Sequence, residues 1–157
     1  MSQVQLDDTD LKILQLVQAN GRISNADLAK ECNMAPSAML ERVKKLEQKK
    51  VIIQYTAVID PESVGQKLLA FILIKTKSGE VADTVTAAAL AKVPEIQEVH
   101  HIAGEDCFLI KVRTADSKSL MQLMRQSLKK IPGVLSTRTT IVLETAKEQQ
   151  QVVILKK

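Results

Sequence analysis

The spacing of hydrophobic and polar positions changes near residue 51. Before that point, apolar residues recur three or four positions apart, as they do on amphipathic helices. After it, β-branched and apolar runs alternate with helical stretches. The first part therefore predicts three helices, and the second predicts four strands and two helices in the order βαββαβ.

Local signals indicate where the three N-terminal helices begin and end. Asp7 and Asp8 offer a cap to the first helix, which we expect to end at Asn20-Gly21 in a left-handed turn. Ser24 is the expected cap of a second helix of about two turns. Pro36 fits the first turn of a third helix. Three short helices with a brief second turn are typical of a helix-turn-helix DNA-binding domain.

The second part of the chain predicts a ferredoxin-like effector domain. Two β-α-β units joined by a hairpin give a four-stranded antiparallel sheet with both helices on one face. The expected strands cover 68–76, 96–103, 108–114 and 134–144, and the expected helices cover 81–93 and 118–131. The predicted fold class is therefore α+β.

Two further segments have the composition of strands. Residues 51–59 predict a wing or linker strand, and residues 152–155 predict a short strand at an edge. We expect a helix-turn-helix domain over 1–50, with its motif at about 25–44. A linker over 51–64 and a ligand-binding and oligomerisation domain over 65–157 complete the expected organisation.

Composition argues against several classes of function. The longest apolar run, Leu68–Ile74, has seven residues, far below the roughly 20 needed to cross a bilayer, and the acidic N-terminus lacks an apolar stretch. We therefore expect a cytoplasmic protein without membrane contact. Cys32 and Cys107 stand apart, which argues against a disulfide scaffold or a zinc site. Neither a glycine-rich nucleotide motif nor a GxSxG or HExxH motif occurs, so we expect no enzyme, cofactor or metal.

Charge is informative only where it is concentrated. The net charge is +4, yet residues 1–60 contain eight basic and eight acidic residues. Residues 40–50, which cover most of the third helix, contain five basic and two acidic residues. A basic segment on a helix-turn-helix domain is typical of a surface that contacts DNA phosphates, although charge alone is equally consistent with a solvated helix.

Helical periodicity divides the third helix into two sides. Met39, Leu40, Val43 and Leu46 share the side expected to face the core. The opposite side is expected to face the major groove, and its members are Ser37, Ala38, Glu41, Lys45 and Gln48. Flanking basic residues are better placed for phosphates than for bases, and these are Arg42, Lys44 and Lys49. Arg22, before the second helix, completes the predicted DNA contacts.

The stretch GRISNADLAKECNMAPSAMLERVKKLE, followed by Ile52 and Tyr55, resembles the DNA-binding domain of the Lrp/AsnC family, the feast/famine regulators. Residues 101–112 are similar to the family's effector domain at its ligand loop, and residues 133–143 to its fourth strand. The resemblance implies a bacterial or archaeal transcription regulator that dimerises and often assembles further, to a tetramer or octamer. It also implies an amino acid or related small effector bound between effector domains.

The loop between the second and third strands is the expected effector site. Its residues are Gly104, Glu105, Asp106 and Cys107, whose backbone amides are expected to reach a ligand carboxylate. Thr137 and Thr139 on the fourth strand are weaker candidates. Asp106 lies one position earlier than the aspartate that the family often has after its glycine. Ala35 stands where the family commonly has a serine cap, so the third helix is expected to lack that cap.

Two other functions fit parts of the pattern. A βαββαβ sheet is also the framework of RNA-binding modules, but these stack bases on exposed aromatic residues, and this chain has only Tyr55, Phe71 and Phe108. A small-molecule sensor or enzyme built on the ferredoxin-like half, without DNA binding, is the remaining alternative. For a DNA-binding regulator, the helix-free face of the sheet is expected to be apolar and covered by a second subunit, so that residues 61–157 dimerise.

Overall fold

The computed structural model describes residues 5–77, 80–105 and 107–155 and divides the chain into two compact units. The first unit contains the residues up to Val58 together with those from Glu148 onward, and the second unit is Ile59–Lys147. The chain therefore passes from one unit to the other twice. None of the helices in the described part of the chain is long and apolar enough to span a membrane.

Three helices form the first unit: α1 (Asp8–Ala19), α2 (Asn25–Glu31) and α3 (Pro36–Gln48). Asp7 caps α1 and Ser24 caps α2, as the sequence predicts. By contrast, α3 begins at Pro36 without a side-chain cap, which confirms the expectation for Ala35. The turn after α1 differs from the prediction. Asn20 is extended, and its side-chain oxygen accepts from the Arg22 N–H at 3.0 Å, so an Asx turn ends the helix instead of a left-handed residue.

The core of the first unit joins all three helices. Ile13 of α1, Leu28 of α2 and Met39 of α3 are each at most 2% exposed. Val43 and Leu46 extend the buried side of α3. This packing fixes which side of α3 faces outward.

The second unit is the predicted βαββαβ fold. Its strands are β1 (Leu68–Thr76), β2 (Ile96–His101), β3 (Phe108–Thr114) and β4 (Val134–Ile141), and its helices are α4 (Glu80–Leu90) and α5 (Ser117–Gln126). The strand order is β2-β3-β1-β4 with every neighbouring pair antiparallel. This is the ferredoxin-like arrangement that the sequence predicts.

Alternation along the two central strands separates the two faces of the sheet. Ile72 of β1 and Ile110 of β3 lie opposite each other and are fully buried beneath the helices. Leu73 and Leu109, one position along, face the side opposite to α4 and α5 and are only half-buried. The latter side is called the open face below.

Several predicted elements are shorter in the structure, and two are not strands. Residues 51–59 and 152–155 form no strand ladder among the described residues, because β-branched sequence makes a strand only where another strand supplies hydrogen-bond partners. The last helix ends at Gln126 and is followed by a short 3-10 turn, Leu128–Lys130, which ends at the extended residue Ile131 because Pro132 disfavours helix at the residue before it. The predicted break at Ser78-Gly79 lies outside the described residues.

Candidate functional site

The outer side of α3 presents a polar surface with three lysines. The burial of Met39, Val43 and Leu46 turns this side toward solvent. Its members are exposed along the whole helix, and they are Ser37, Ala38, Glu41, Lys44, Lys45, Gln48 and Lys49. We call this set the α3 outer face. Leu40, expected in the core, is 38% exposed, because it lies about 90° from the middle of the buried side and so at its border.

Charges on the α3 outer face are weakly paired. Lys44 Nζ lies 3.7 Å from Glu41 Oε1, but both side chains are more than half exposed, so the pair contributes little to stability. Within the described part of the chain, Lys45 and Lys49 take part in no ion pair. Their ammonium groups are therefore available to an anionic partner. Arg22, on the turn before α2, is also exposed.

Arg42 differs from the other predicted phosphate ligands. Its Nη1 donates to Asp7 Oδ2 at 2.7 Å and to Asp10 Oδ1 at 2.8 Å, and its side chain is two-thirds buried. The remaining oxygens of the two aspartates complete the capping box of α1. Arg42 therefore clamps α3 to the start of α1, and its hydrogen-bonding capacity is already used in part.

The pKa values around this clamp follow from its hydrogen bonds. The pKa of Asp7 is lowered, first by the backbone N–H of Asp10 and then by Arg42. The pKa of Arg42 is raised by its hydrogen bonds to Asp7 and Asp10. Both changes favour the charged forms, so the clamp is an ion pair at neutral pH.

A second contact joins α3 to the segment that follows it. The Tyr55 hydroxyl donates to Glu47 Oε1 at 2.9 Å. Burial, together with the hydrogen bond and the charge of Glu47, raises the pKa of Tyr55 to about 12. The sequence indicates neither this contact nor the Arg42 clamp, because each joins residues whose proximity depends on tertiary packing.

The β2–β3 loop leaves open space at its glycine. Gly104 has φ +151°, a conformation that disfavours other residues, and a Cβ there would meet no atom within 4 Å. The loop is held in place where the Cys107 N–H donates to the Ile74 carbonyl at 2.9 Å. Glu105 is exposed and Cys107 is half-buried against the core, whereas Asp106 lies outside the described residues.

The two predicted threonines of β4 lie on the helix-covered side of the sheet. Thr137 pairs with Ile74 and Thr139 with Ile72, both of which face the helices. Thr139 Oγ1 lies 3.6 Å from the sulfur of Met124 on α5. Since Ile74 also binds the Cys107 N–H, Thr137 lies at the same end of the sheet as the loop, whereas Thr139 lies farther along.

The open face is apolar at its centre and charged around it. The expectation of an apolar helix-free face is therefore only partly met. Phe71, Leu73 and Leu109 form the half-buried centre. Lys111 Nζ lies 3.1 Å from Glu98 Oε1, and His100 Nε2 lies 3.1 Å from Glu98 Oε2. The pKa of Glu98 is lowered by the hydrogen bond with His100 and further by Lys111. The sequence does not indicate this charged cluster, because Glu98 and Lys111 become neighbours only through the register of β2 against β3.

The sheet does not present a pair of exposed aromatic rings in the described part of the chain on which RNA bases could stack. Phe108 is 1% exposed, and the ring of His101 stacks on it with centroids 4.9 Å apart. Only Phe71 of the two phenylalanines lies on the open face, so the RNA-binding alternative lacks the aromatic pair it requires. Among the described residues, no three His, Cys, Asp or Glu side chains converge on a possible metal position.

Both units match known protein families. Residues 6–53 match a model of winged helix-turn-helix DNA-binding domains, and residues 69–152 match the Lrp/AsnC ligand binding domain. The chain is 40% identical to the HTH-type transcriptional regulator FL11 of Pyrococcus horikoshii, over 96% of this chain and 98% of that protein. It is also 40% identical to the leucine-responsive regulatory protein of Haemophilus influenzae, over 95% and 90% of the two chains.

Solved structures agree with these matches. A transcriptional regulator of Neisseria meningitidis in complex with L-Met superposes with a TM-score of 0.88 at 32% identity, covering 95% of this chain and 97% of that one. A feast or famine regulatory protein of M. tuberculosis complexed with L-methionine superposes with a TM-score of 0.86 at 32% identity, covering 94% and 99%. The likeness therefore extends over both units.

Proposed function

The chain belongs to the Lrp/AsnC family of transcription regulators, and on that premise we propose that its α3 outer face reads DNA while its β2–β3 loop binds an amino acid. The protein is a DNA-binding regulator, not an enzyme. The observation that carries the DNA assignment is the α3 outer face, a row of exposed side chains held outward by the buried opposite side of the helix.

Position on α3 separates base contacts from phosphate contacts. Ser37, Glu41 and Gln48 lie at the middle of the outer face, which is the part of a recognition helix that enters the major groove. Lys44 and Lys45 lie to either side of this middle, where the DNA backbone would run. We assign bases to the first group and phosphates to the second, with Ala38, Lys49 and Arg22 completing the proposed surface.

Arg42 takes a different role in this proposal. Because its guanidinium binds Asp7 and Asp10, we propose that it positions α3 and contributes to DNA binding mainly through that geometry. A direct phosphate contact by Arg42 stays a prediction, and its remaining N–H groups would make it.

Single substitutions distinguish these roles in a salt titration of DNA binding. Lys45→Ala is expected to weaken binding and to lower the slope of log K against log salt by about 1. Glu41→Ala should change sequence preference without lowering the slope, because a carboxylate binds no phosphate. An unchanged slope for Lys45→Ala, or an unchanged selected sequence for Glu41→Ala, would contradict the corresponding assignment.

The proposed effector is an amino acid whose carboxylate approaches the loop at Gly104. The space above Gly104 is open, and a glycine lets a ligand approach backbone amides without obstruction. Two structurally similar regulators are complexed with L-methionine, and a relative is named leucine-responsive. We include Glu105, Asp106, Cys107 and Thr137 in the proposed site, with Thr139 as its most distant member.

A matched pair of glycine variants tests the effector site. Gly104→Val should abolish the heat of L-methionine or L-leucine binding in calorimetry while DNA binding persists. Gly65→Val is the control, because Gly65 also has positive φ and open space but lies outside the loop. Equal amino-acid affinity for Gly104→Val and the unmodified protein would exclude the loop. Equal loss in both variants would show that general strain is responsible.

We further propose that the open face joins two copies of the chain, with tetramers or octamers built from such dimers. Its apolar centre of Phe71, Leu73 and Leu109 is bordered by the charged groups of Glu98 and Lys111, the distribution found in protein interfaces. Sedimentation of the full chain should give a dimer or larger, and Leu73→Lys should give monomers. A well-folded monomer in the unmodified protein would refute this assembly.

A further inference from the structure

The end of the chain makes a specific contact with α1 inside the first unit. Gln18 Oε1 accepts from the Val152 N–H at 2.9 Å, and Gln18 Nε2 donates to the Val152 carbonyl at 3.1 Å. Gln151 Nε2 donates in return to the Gln18 carbonyl at 2.8 Å. One turn earlier on α1, Gln15 Nε2 lies 3.4 Å from the Ile154 carbonyl.

The Gln18 carboxamide pairs with Val152 as a neighbouring strand would. A carboxamide has the donor and acceptor of a peptide group, and Gln18 uses both on a single residue. Gln15 and Gln18 lie on one side of α1, and residues 152 and 154 direct their carbonyls to one side of an extended chain. Gln18 therefore meets residue 152 and Gln15 meets residue 154, so the tail runs antiparallel to α1.

The side chains of Gln15 and Gln18 bind backbone groups of the tail, and Gln151 adds a side-chain hydrogen bond in return. Val152 and Val153 remain 69% and 85% exposed, so little apolar burial accompanies the docking. Recognition through main-chain groups tolerates changes of side chain but requires the Val152 N–H. Replacing Val152 by proline, which lacks the N–H, should therefore disrupt the contact.

We infer that the Gln15–Gln18 side of α1 is a docking surface for an extended backbone, and that the chain's own residues 151–154 occupy it as a second tether of the DNA-binding unit. Residues 59–147 form the other unit, and the segments before and after it both belong to the first unit. A tether at both ends restricts the orientations of the DNA-binding unit, and restriction before binding favours affinity. This consequence for DNA rests on the proposed function, whereas the docking does not.

Amide hydrogen exchange on the full chain tests the docking. The Val152 amide should exchange roughly tenfold faster in Gln18→Ala than in the unmodified protein, because the variant lacks the carboxamide oxygen that accepts from this amide. Gln122→Ala, the same change on the exposed side of α5, should leave the Val152 rate unchanged. Equal and unprotected Val152 exchange in all three proteins would overturn the docking.

Proline variants test the main-chain character of the contact. Val152→Pro removes the donor that Gln18 Oε1 accepts and should speed tryptic cleavage after Lys147 by roughly tenfold, as Gln18→Ala should. Val152→Ala and Val153→Pro keep that N–H and should cleave at the unmodified rate. Equal cleavage of both proline variants would refute recognition through the Val152 N–H.

A mixing experiment establishes which copy supplies the tail. One chain carries Gln18→Ala with its tail intact, and the other keeps Gln18 but lacks residues 148–157. Docking within one chain predicts no protection of Val152 in the mixture, whereas protection restored by mixing would overturn it in favour of exchange between copies.

DNA affinity tests the tether separately from the docking. We expect Gln18→Ala to bind a duplex selected from a random pool roughly two- to tenfold more weakly, with an unchanged salt slope. Altered exchange with unchanged affinity would refute the tether while leaving the docking in place. Absence of DNA binding by the unmodified protein would instead refute the proposed function, and the exchange result would stand apart from it.

Discussion

Arg42→Met removes the clamp between α3 and α1 while keeping an unbranched side chain. The variant loses two charge-assisted hydrogen bonds, to Asp7 and to Asp10, and leaves both carboxylates without their cation. We expect a less stable first unit in which α3 is no longer held at its present angle.

The magnitude follows from how well each partner is shielded from water. Asp10 is only 16% exposed, and a hydrogen bond between charged groups in such a place contributes about 1.5–2 kcal/mol. Asp7 is 53% exposed, so solvent screening reduces its share to about 0.5 kcal/mol. The total of about 2–2.5 kcal/mol corresponds to a Tm lower by about 8–20 °C for a unit of this size.

Thermal unfolding of the full chain, followed by the helical circular dichroism signal, measures this loss. Lys44→Met is the matched control, because it removes the same charge from the same helix but breaks only an exposed pair, so it should change Tm by no more than a few degrees. A Tm difference below about 2 °C between the two variants would refute the clamp.

Acid provides a second signature of the clamp. The pKa of Asp7 is lower in the folded chain, so the stability it supplies is present above the ordinary aspartate value of 3.8 and disappears as the pH falls through the folded value. The Tm gap between Arg42→Met and the unmodified protein should therefore narrow below about pH 4. A gap that stays constant there would contradict the assigned ion pair.

Two further predictions concern a glycine and the single tyrosine. Gly133 has φ +89°, and a Cβ there would lie 2.9 Å from Thr86 Oγ1, so Gly133→Ala should lower the free energy of unfolding in denaturant by about 2–3 kcal/mol. Gly65→Ala, where φ is also positive but the space is open, should lower it by about 1 kcal/mol. Equal losses in the two variants would show that the contact with Thr86 contributes nothing. Titration of Tyr55 followed by absorbance should give a midpoint of about 12, and the midpoint should be lower in Glu47→Gln. The stability that this hydrogen bond supplies should be complete below pH 10 and disappear as the pH rises toward 12. A midpoint near 10 in the unmodified protein would show that Tyr55 does not bind Glu47.

Local sequence signals predicted the elements whose partners lie nearby. The bounds of β1 and β3 follow from their apolar runs, and Asp7 and Ser24 cap α1 and α2 as their sequence contexts indicate. Each of these depends on interactions within a few residues or on simple burial. The same reasoning predicted the polar outer side of α3.

Contacts between distant residues were not predictable in this way. Arg42 reads from the sequence as one more basic residue, and only packing brings it to Asp7 and Asp10, 35 and 32 positions away. The tail reads as a strand, yet it meets the Gln18 side chain instead of another strand. Periodicity shows which side of an element is apolar but does not identify the polar group that it meets.

The most direct test of DNA reading by α3 compares two triple variants of equal charge. Lys44, Lys45 and Lys49 are changed together to alanine on the α3 outer face, and Lys118, Lys129 and Lys130, exposed in the other unit, are changed as the control. In a salt titration with a selected DNA duplex, the first variant should lose a slope of about 3 and the control should match the unmodified protein. Equal slopes for the two variants would contradict DNA reading by α3.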